Sequence, residues 1–381
     1  MGKSKPSADY LGTLRRRYAA ASKKERGVIL DELVKTSGYH RKHASALLRG
    51  RRLHRQGPIR RPRARVYTDE DKRAVLKLAA WFDEINSKRL RVAMDNTLSD
   101  LRRQGHLRVS ADSYRRLRRI SASTIGRIRR AVRLPGSRRK GFTKPGTLLK
   151  RQIPIRTFSA WDDTRAGFVE VDLVDHSGGD SKGDVAQTLN VTDVHTAWTE
   201  MRAVPTKAQR FVFDALKTIR GRLPVPLLGI DSDNGAEFIN NQLYRYCQTE
   251  EITFTRGRSG RKNDNPFVEQ KNWSVVRRLV GYRRFHTRRH VDLLNQLYGR
   301  YRLYVNFFLP VMKLKEKVRI GSRVKKVYER PQTPYARVLA CAEISQAAKR
   351  RLTAQYARLD VVQLKAEIET LLDALLTPGV G

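Results

Sequence analysis

The sequence predicts a mixed α/β core set between strongly basic helical flanks, and three observations carry that expectation. From Gly167 onward the apolar residues alternate, with Val169, Val171 and Leu173 on one face of a strand and Glu170 and Asp172 on the other. Before that point the apolar residues recur at helical spacing. The charge also divides: 79 Lys and Arg against 37 Asp and Glu give +42 overall. Residues 1–150 hold 41 basic and 12 acidic residues, a net of +29, whereas residues 168–255 hold 8 and 13, a net of −5. A surface this basic selects polyanions, of which nucleic acid is the commonest. Charge names a partner and not an activity. An acidic island inside so basic a chain needs a reason, and bound divalent cations would supply one.

Composition excludes several classes. Forty per cent apolar and thirty per cent charged residues suit a globular chain of two to four modest domains. Two cysteines, Cys247 and Cys341, cannot build a thiolate metal site or a disulfide framework. No run approaches ~18 apolar residues and the first residues lack a signal-peptide core, so a cytoplasmic protein with no membrane partner is expected.

Residues 1–55 read as helices. Tyr10, Leu14 and Tyr18 share one face, and Ile29, Leu30, Leu33 and Val34 form a second stripe. A Gly-containing turn at Thr36–Tyr39 leads into a basic helix with Ala44, Leu47 and Leu48 inward and His40, Arg41 and His43 outward. That is the layout of a DNA-binding helix-turn-helix. A Pro- and Arg-rich linker follows. Residues 66–135 form a second unit of the same kind, opening at Thr68–Asp71 with Val75, Leu78, Ala79 and Phe82 on one face. In its last helix Ser121 or Ser123 caps, Ile125 and Ile128 point inward, and Arg127 and Arg130 point out to DNA.

The core, residues 161–312, reads βββαβαβα. Three antiparallel strands come first. A capping box at Thr206 and Gln209 then opens a helix to about Arg220. A short buried strand ends near Asp231, a helix begins near Ala236, a strand covers Ile252–Phe254, and Asn265 with Pro266 caps a final helix. Residues 313–381 are a small basic region: a hairpin carrying Val318, Ile320 and Val324, then a helix with Leu364, Ile368, Leu371 and Leu375 in one stripe. That stripe is expected to serve either its own chain or a second copy.

Three acids stand out by placement. Asp172 sits mid-strand, where burying a carboxylate is costly unless it is paired or metal-bound. Asp233 leaves its strand at an Asn-Gly turn, and Glu269 lies in the first turns of the helix after Asn265, where the helix dipole favours its charge. The order of elements can bring the three together. Asp175 and Asp231 are the near alternatives. Trp273, one turn past Glu269, is expected to pack in the core.

Residues 168–285 resemble the integrase-type catalytic core of bacterial insertion-sequence transposases and retroviral integrases. The matching stretches are EVDLV around Asp172, SDNGAEF around Asp233 and NDNPFVEQKN around Glu269, with 35 residues between Asp233 and Glu269. The resemblance implies an RNase H-like α/β core carrying a metal-binding catalytic triad, Asp172, Asp233 and Glu269, with two Mg2+ or Mn2+ ions per site. It implies a DNA transposase that binds terminal repeats, cleaves, and joins 3′-hydroxyl ends to target DNA, as a homo-oligomer on double-stranded DNA in the bacterial nucleoid. The His/Cys zinc head of the retroviral proteins is absent. Lys271, Arg277 and Arg278 follow Glu269 and are expected to hold phosphates near it, beside Arg41, His43, Arg127 and Arg130 in the helical units. The alternative is a non-catalytic DNA-binding regulator descended from a transposase.

Overall fold

The computed structural model describes residues 6–50, 66–132, 165–180, 182–232, 237–238, 240–256, 268, 271–320 and 323–377. Contacts separate two units, Met1–Val66 and Tyr67–Gly381. In the first, α1 (Ala8–Ala20), α2 (Lys23–Ser37) and α3 (Arg41–Leu48) enclose Leu14, Ile29, Leu33, Ala44 and Leu48. Ser22 and Glu25 form a capping box on α2, and Gly38 ends that helix in the left-handed conformation at φ 68°. Arg15 Nε donates to the Leu47 carbonyl at 2.8 Å, tying α1 to α3.

The second unit opens with α4 (Asp69–Trp81), α5 (Ser87–Arg103), α6 (Ala111–Arg119) and α7 (Ala122–Val132). Thr68 and Asp71 cap α4 reciprocally. Asp71 is fully buried and also accepts from Ser113 Oγ at 2.6 Å and Arg116 Nε at 2.7 Å, so one carboxylate joins α4 to α6. Ser121 caps α7 by accepting from Thr124 N at 3.1 Å. The apolar core runs unbroken from Ala74 in these helices through the sheet to Leu375.

The sheet has five strands in the order β3-β2-β1-β4-β5. They are β1 (Phe168–Asp175), β2 (Gln187–Asp193), β3 (Thr199–Val204), β4 (Gly229–Ser232) and β5 (Thr253–Arg256). β1 pairs antiparallel with β2 and parallel with β4, which makes it the central strand. Gly167, at φ 113°, starts it: a Cβ there would lie 2.3 Å from the Pro226 carbonyl oxygen. Helix α8 (Gln209–Arg220) packs on β2 and β3, and α9 (Asn241–Thr249) on β5.

After Lys271 the chain makes a π-helical turn, Asn272–Arg277, in which the Arg278 amide reaches back to the Trp273 carbonyl. A short α10 (Arg278–Val280) ends it at Gly281. Helix α11 (Arg288–Leu303) continues into a second π turn, Tyr304–Phe308, and closes the free edge of β3 with side chains. Asn295 bonds the Ala203 N–H and C=O at 2.9 and 3.0 Å, and Asn306 does the same for Thr199 at 2.9 and 2.8 Å. Arg302 adds a bidentate pair to the buried Glu200 at 2.5 and 2.6 Å. The basic hairpin is present as β6 (Leu314–Ile320) and β7 (Arg323–Tyr328), followed by α12 (Pro334–Ala340), α13 (Gln346–Ala357) and α14 (Val361–Leu376).

Two expectations are corrected, and a third, left open between two outcomes, is decided. Ala208 is the N-cap of α8 with no side-chain cap, because Thr206 Oγ1 is spent accepting from the Ala208 amide at 3.2 Å in the preceding turn. Helix α9 starts at Asn241 and not near Ala236, since Asn240 caps it by accepting from Leu243 N at 2.8 Å. The stripe Leu364, Ile368 and Leu375 is buried in its own chain, where α14 lies on α11 and α4, so it is not available to a second copy.

Burial pushes the Asp71 carboxyl up, but the bonds from Arg116, Ser113 and Thr68 outweigh it and leave its pKa lowered. Its stabilising contribution is therefore full above about pH 4, the unfolded value, and is lost as the pH falls through the lower folded value. Asp71→Ala is expected to cost about 3 kcal/mol at pH 7, by stranding Arg116 and Ser113 and opening the cap. Urea titrations of both proteins at pH 7 and pH 3 check this, since the difference must shrink in acid.

Candidate active site

Alternation along β1 places Glu170 and Asp172 on one face of the central strand. Glu170 is fully buried and Asp172 half-buried. In the antiparallel register Asp172 faces Asn190, and in the parallel register Glu170 faces Asp231. Asp172 Oδ1 accepts from the Leu173 amide at 2.8 Å, and Oδ2 accepts from Asn272 Nδ2 at 2.5 Å. Asn190 Nδ2 in turn donates to Asn272 Oδ1 at 2.7 Å. Because Asp172 can only accept, Asn272 must turn its Nδ2 to it and its Oδ1 to Asn190, which then donates, so the Asp172 carboxylate is held from two sides.

Two residues earlier on the same face, Glu170 Oε2 accepts from the Val268 amide at 2.9 Å. Residues 268 and 272 are thereby bonded to two consecutive same-face acids of β1. Glu269 falls between them in sequence and lies outside the described residues. So does Asp233, although the parallel ladder pairs Val171 with Ser232 and ends one residue before it. Among the described residues no group of three or more His, Cys, Asp or Glu side chains converges as a metal cage.

The alternatives, Asp175 and Asp231, have hydrogen-bond partners of their own. Asp175 accepts from Gln187 Nε2 at 2.8 Å and Ser177 N at 2.7 Å, closing the end of β1. Burial raises its pKa, but those bonds prevail and hold it low. Asp231 is buried and accepts from Thr255 Oγ1 at 2.7 Å. His176, beyond the strand, bonds Thr188 Oγ1 at 2.7 Å. Burial, assisted by the charge of Arg277, pushes its pKa down to about 3, so the imidazole is neutral at physiological pH.

The basic residues divide. Arg127 and Arg130 are exposed on α7, beside exposed Arg115, Arg118 and Arg119 on α6. In the first unit Arg41 is exposed and ion-paired with Asp31, and His43 is exposed with its ring edge-on to Tyr39. Lys271 differs from the exposed basic position that the sequence suggests. It is only 7% exposed, its Nζ donates to the Ala197 carbonyl at 3.3 Å, and burial with the nearby Arg89 charge brings its pKa down to about 7. Its position places it on the inner face of the segment, against the sheet. Arg277 is half-buried over the Tyr282 ring at 4.7 Å, and Arg278, although exposed, donates to the Asp83 carbonyl. Trp273 is 61% exposed, against the expectation of core packing, because the π turn carries it outward.

Sequence reasoning missed Asn190, Asn272 and the anchoring role of Glu170. Glu170 was legible as a second acid on the Asp172 face, and Asn272 as lying about one helical turn past Glu269. Nothing local marks Asn190, whose partner is 82 residues away.

No family model matches the chain. It is 40% identical, over 324 residues, to an uncharacterized protein named y4rM from Sinorhizobium fredii (strain NBRC 101917 / NGR234), an overlap that covers 84% of this chain and 91% of that one. The chain belongs to the y4rM family. Among solved structures it is similar to the HTLV-2 integrase catalytic core domain in complex with magnesium. The trimeric form gives 14% identity and a TM-score of 0.28, covering 37% of this chain and 84% of that one. The dimeric form gives 14% and 0.29, covering 38% and 90%. TM-scores this low do not by themselves define a shared fold.

Glu170→Gln keeps an acceptor for the Val268 amide and is expected to leave stability within about 1 kcal/mol of the parent. Glu170→Leu removes the acceptor, with an expected loss of about 1–3 kcal/mol. Chemical denaturation, read with hydrogen exchange at the Val268 amide, separates the two; equal behaviour would mean that this bond does not anchor the segment.

Proposed function

We propose that the chain is a DNA transposase with an RNase H-like core, in which Asp172, Asp233 and Glu269 form the catalytic triad. The observation that carries this reading is the pair of bonds from residues 268 and 272 to Glu170 and Asp172, which ties the stretch containing Glu269 to the strand containing Asp172. The strand order supports it as well. β4, which runs up to Asp233, is the parallel neighbour of β1.

The donor chemistry fits hard divalent cations. All three groups are carboxylates, the oxygen donors that such ions prefer, and each carboxylate oxygen has more than one lone pair to offer. Asp172, Asp233 and Glu269 would hold Mg2+ or Mn2+, whose bound charge supplies activation of the attacking oxygen and stabilisation of the leaving one in in-line phosphoryl transfer. The protein's own contribution is orientation. Asn272 and the Leu173 amide hold the Asp172 carboxylate in place, so its geometry is set before substrate arrives.

DNA recognition falls to the helical parts. In this reading α6 and α7 act as a helix-turn-helix, with Arg127 and Arg130 directed to the major groove, and α2 and α3 act likewise through Arg41 and His43. Joining two element ends to one target requires two active sites, hence a homo-oligomer assembled on DNA, and its setting is the bacterial nucleoid.

Asp172→Asn, Asp233→Asn and Glu269→Gln are each expected to abolish cleavage and strand transfer of end DNA while leaving end binding within about twofold. Asp175→Asn is the nearby control and is expected to retain activity. Mg2+ or Mn2+ supports the reaction and Ca2+ does not. Activity persisting in chelator, or in any triad variant, would overturn the mechanism. End binding with hydrolysis but no joined product would make the chain a nuclease.

Arg127→Ala with Arg130→Ala is expected to weaken end binding by about 1–3 kcal/mol for each base-reading arginine removed, with a shallower salt dependence. Fluorescence anisotropy at several salt concentrations measures both, and unchanged affinity would remove α7 from the interface.

A further inference from the structure

A second feature of the Tyr67–Gly381 unit has none of the three proposed triad residues among its described lining. A cavity of about 500 Å³ opens between α5, the π turn after Lys271, and α14. Four cationic side chains line it, Arg89, Lys271, Arg278 and Lys365, and among the described lining residues there is one carboxylate, Asp83. Lys365 takes that carboxylate at 2.6 Å. The other three are held by backbone carbonyls: Arg89 by Pro310, Arg278 by Asp83 and Lys271 by Ala197.

Carbonyl dipoles orient a cation without cancelling its charge. Arg89 and Arg278 therefore keep their charge around one partly enclosed space, where water screens the half-buried Arg89 poorly. The Arg89 guanidinium registers the effect, its pKa lowered first by burial and then by the charge of Arg278. The remaining wall mixes apolar residues, Leu309 and Met312 among them, with the polar Asn86 and Ser274. An enclosed excess of positive charge with fork-shaped donors matches a phosphate group.

We infer that this cavity is a binding site for a compound carrying phosphate groups, with inorganic pyrophosphate as its minimal form. The inference does not rest on the transposase reading, since none of the four cations belongs to the proposed triad. The phosphates could be those of a free organic phosphate or of an extruded DNA nucleotide, and the two sources share one recognition chemistry.

The test uses the full chain in about 0.5 M NaCl, where exposed cations are screened and the recessed ones much less so. Pyrophosphate is titrated by calorimetry and by thermal unfolding, with NaCl at equal ionic strength as the blank. A saturable rise in Tm is expected, with affinity falling about tenfold in Arg89→Gln and in Arg278→Gln. Arg89→Lys, which keeps the charge, is expected to retain most of the affinity and guards against a folding defect in the Gln variant. No saturable response beyond the NaCl blank, or equal affinity in the parent and both Gln variants, overturns the site. Displacement of pyrophosphate by a short single-stranded oligonucleotide assigns the site to DNA, and failure of displacement assigns it to a free phosphate compound. Triad variants are expected to bind pyrophosphate as the parent does, so this site and the proposed activity fail separately.

Discussion

Carboxylates on the face of a buried central strand must be matched by donors, and β1 carries two in succession, Glu170 and Asp172. A buried acceptor left without a donor costs on the order of a few kcal/mol. Described donors come from the sheet itself, at the Leu173 amide, and from residues 268 and 272, nearly one hundred positions further on. Matching the acids therefore fixes where the chain after β5 can run. The π turn, the outward placement of Trp273 and the inward placement of Lys271 all follow that segment.

The helices α4–α7 are part of the same body as the sheet. Tyr304 Oη donates to the Trp81 carbonyl at 2.8 Å, Lys365 pairs with Asp83 at 2.6 Å, and His106 bonds Asp360 at 2.6 Å. Together with a shared apolar core, these links leave the exposed arginines of α6 and α7 on a rigid frame that also carries Asp172. Residues placed on one frame keep a fixed spacing.

Much of this was legible in the sequence because it depends on local pattern. The alternation at Val169–Leu173 gave β1 and the face of Asp172, helical spacing gave the apolar stripes of the first unit, and Thr68 with Asp71 gave the start of α4. What the sequence withheld depends on distant partners. Thr206 and Gln209 had the spacing of a capping box, yet the hydroxyl was claimed by a nearer amide. Lys271, Arg277 and Arg278 looked like a basic face, but the π turn distributes them among a carbonyl, a ring and the α4–α5 connection. A π turn adds one residue to a turn and so rotates everything after it, and no local signal announces it.

The side-chain closure of the β3 edge has a consequence for synthesis. Asn295 and Asn306 stand 92 and 107 residues beyond the backbone groups they satisfy. At roughly 5–20 residues per second, a ribosome delivers them roughly 5–20 seconds after β3 has emerged. Throughout that interval the nascent sheet presents an unguarded row of amides and carbonyls, the kind of edge that recruits strands from neighbouring chains. Chain elongation past Phe308 is thus the moment at which the β3 edge gains its cover, and slow translation between β3 and α11 would lengthen the exposure of that edge to aggregation and to chaperones.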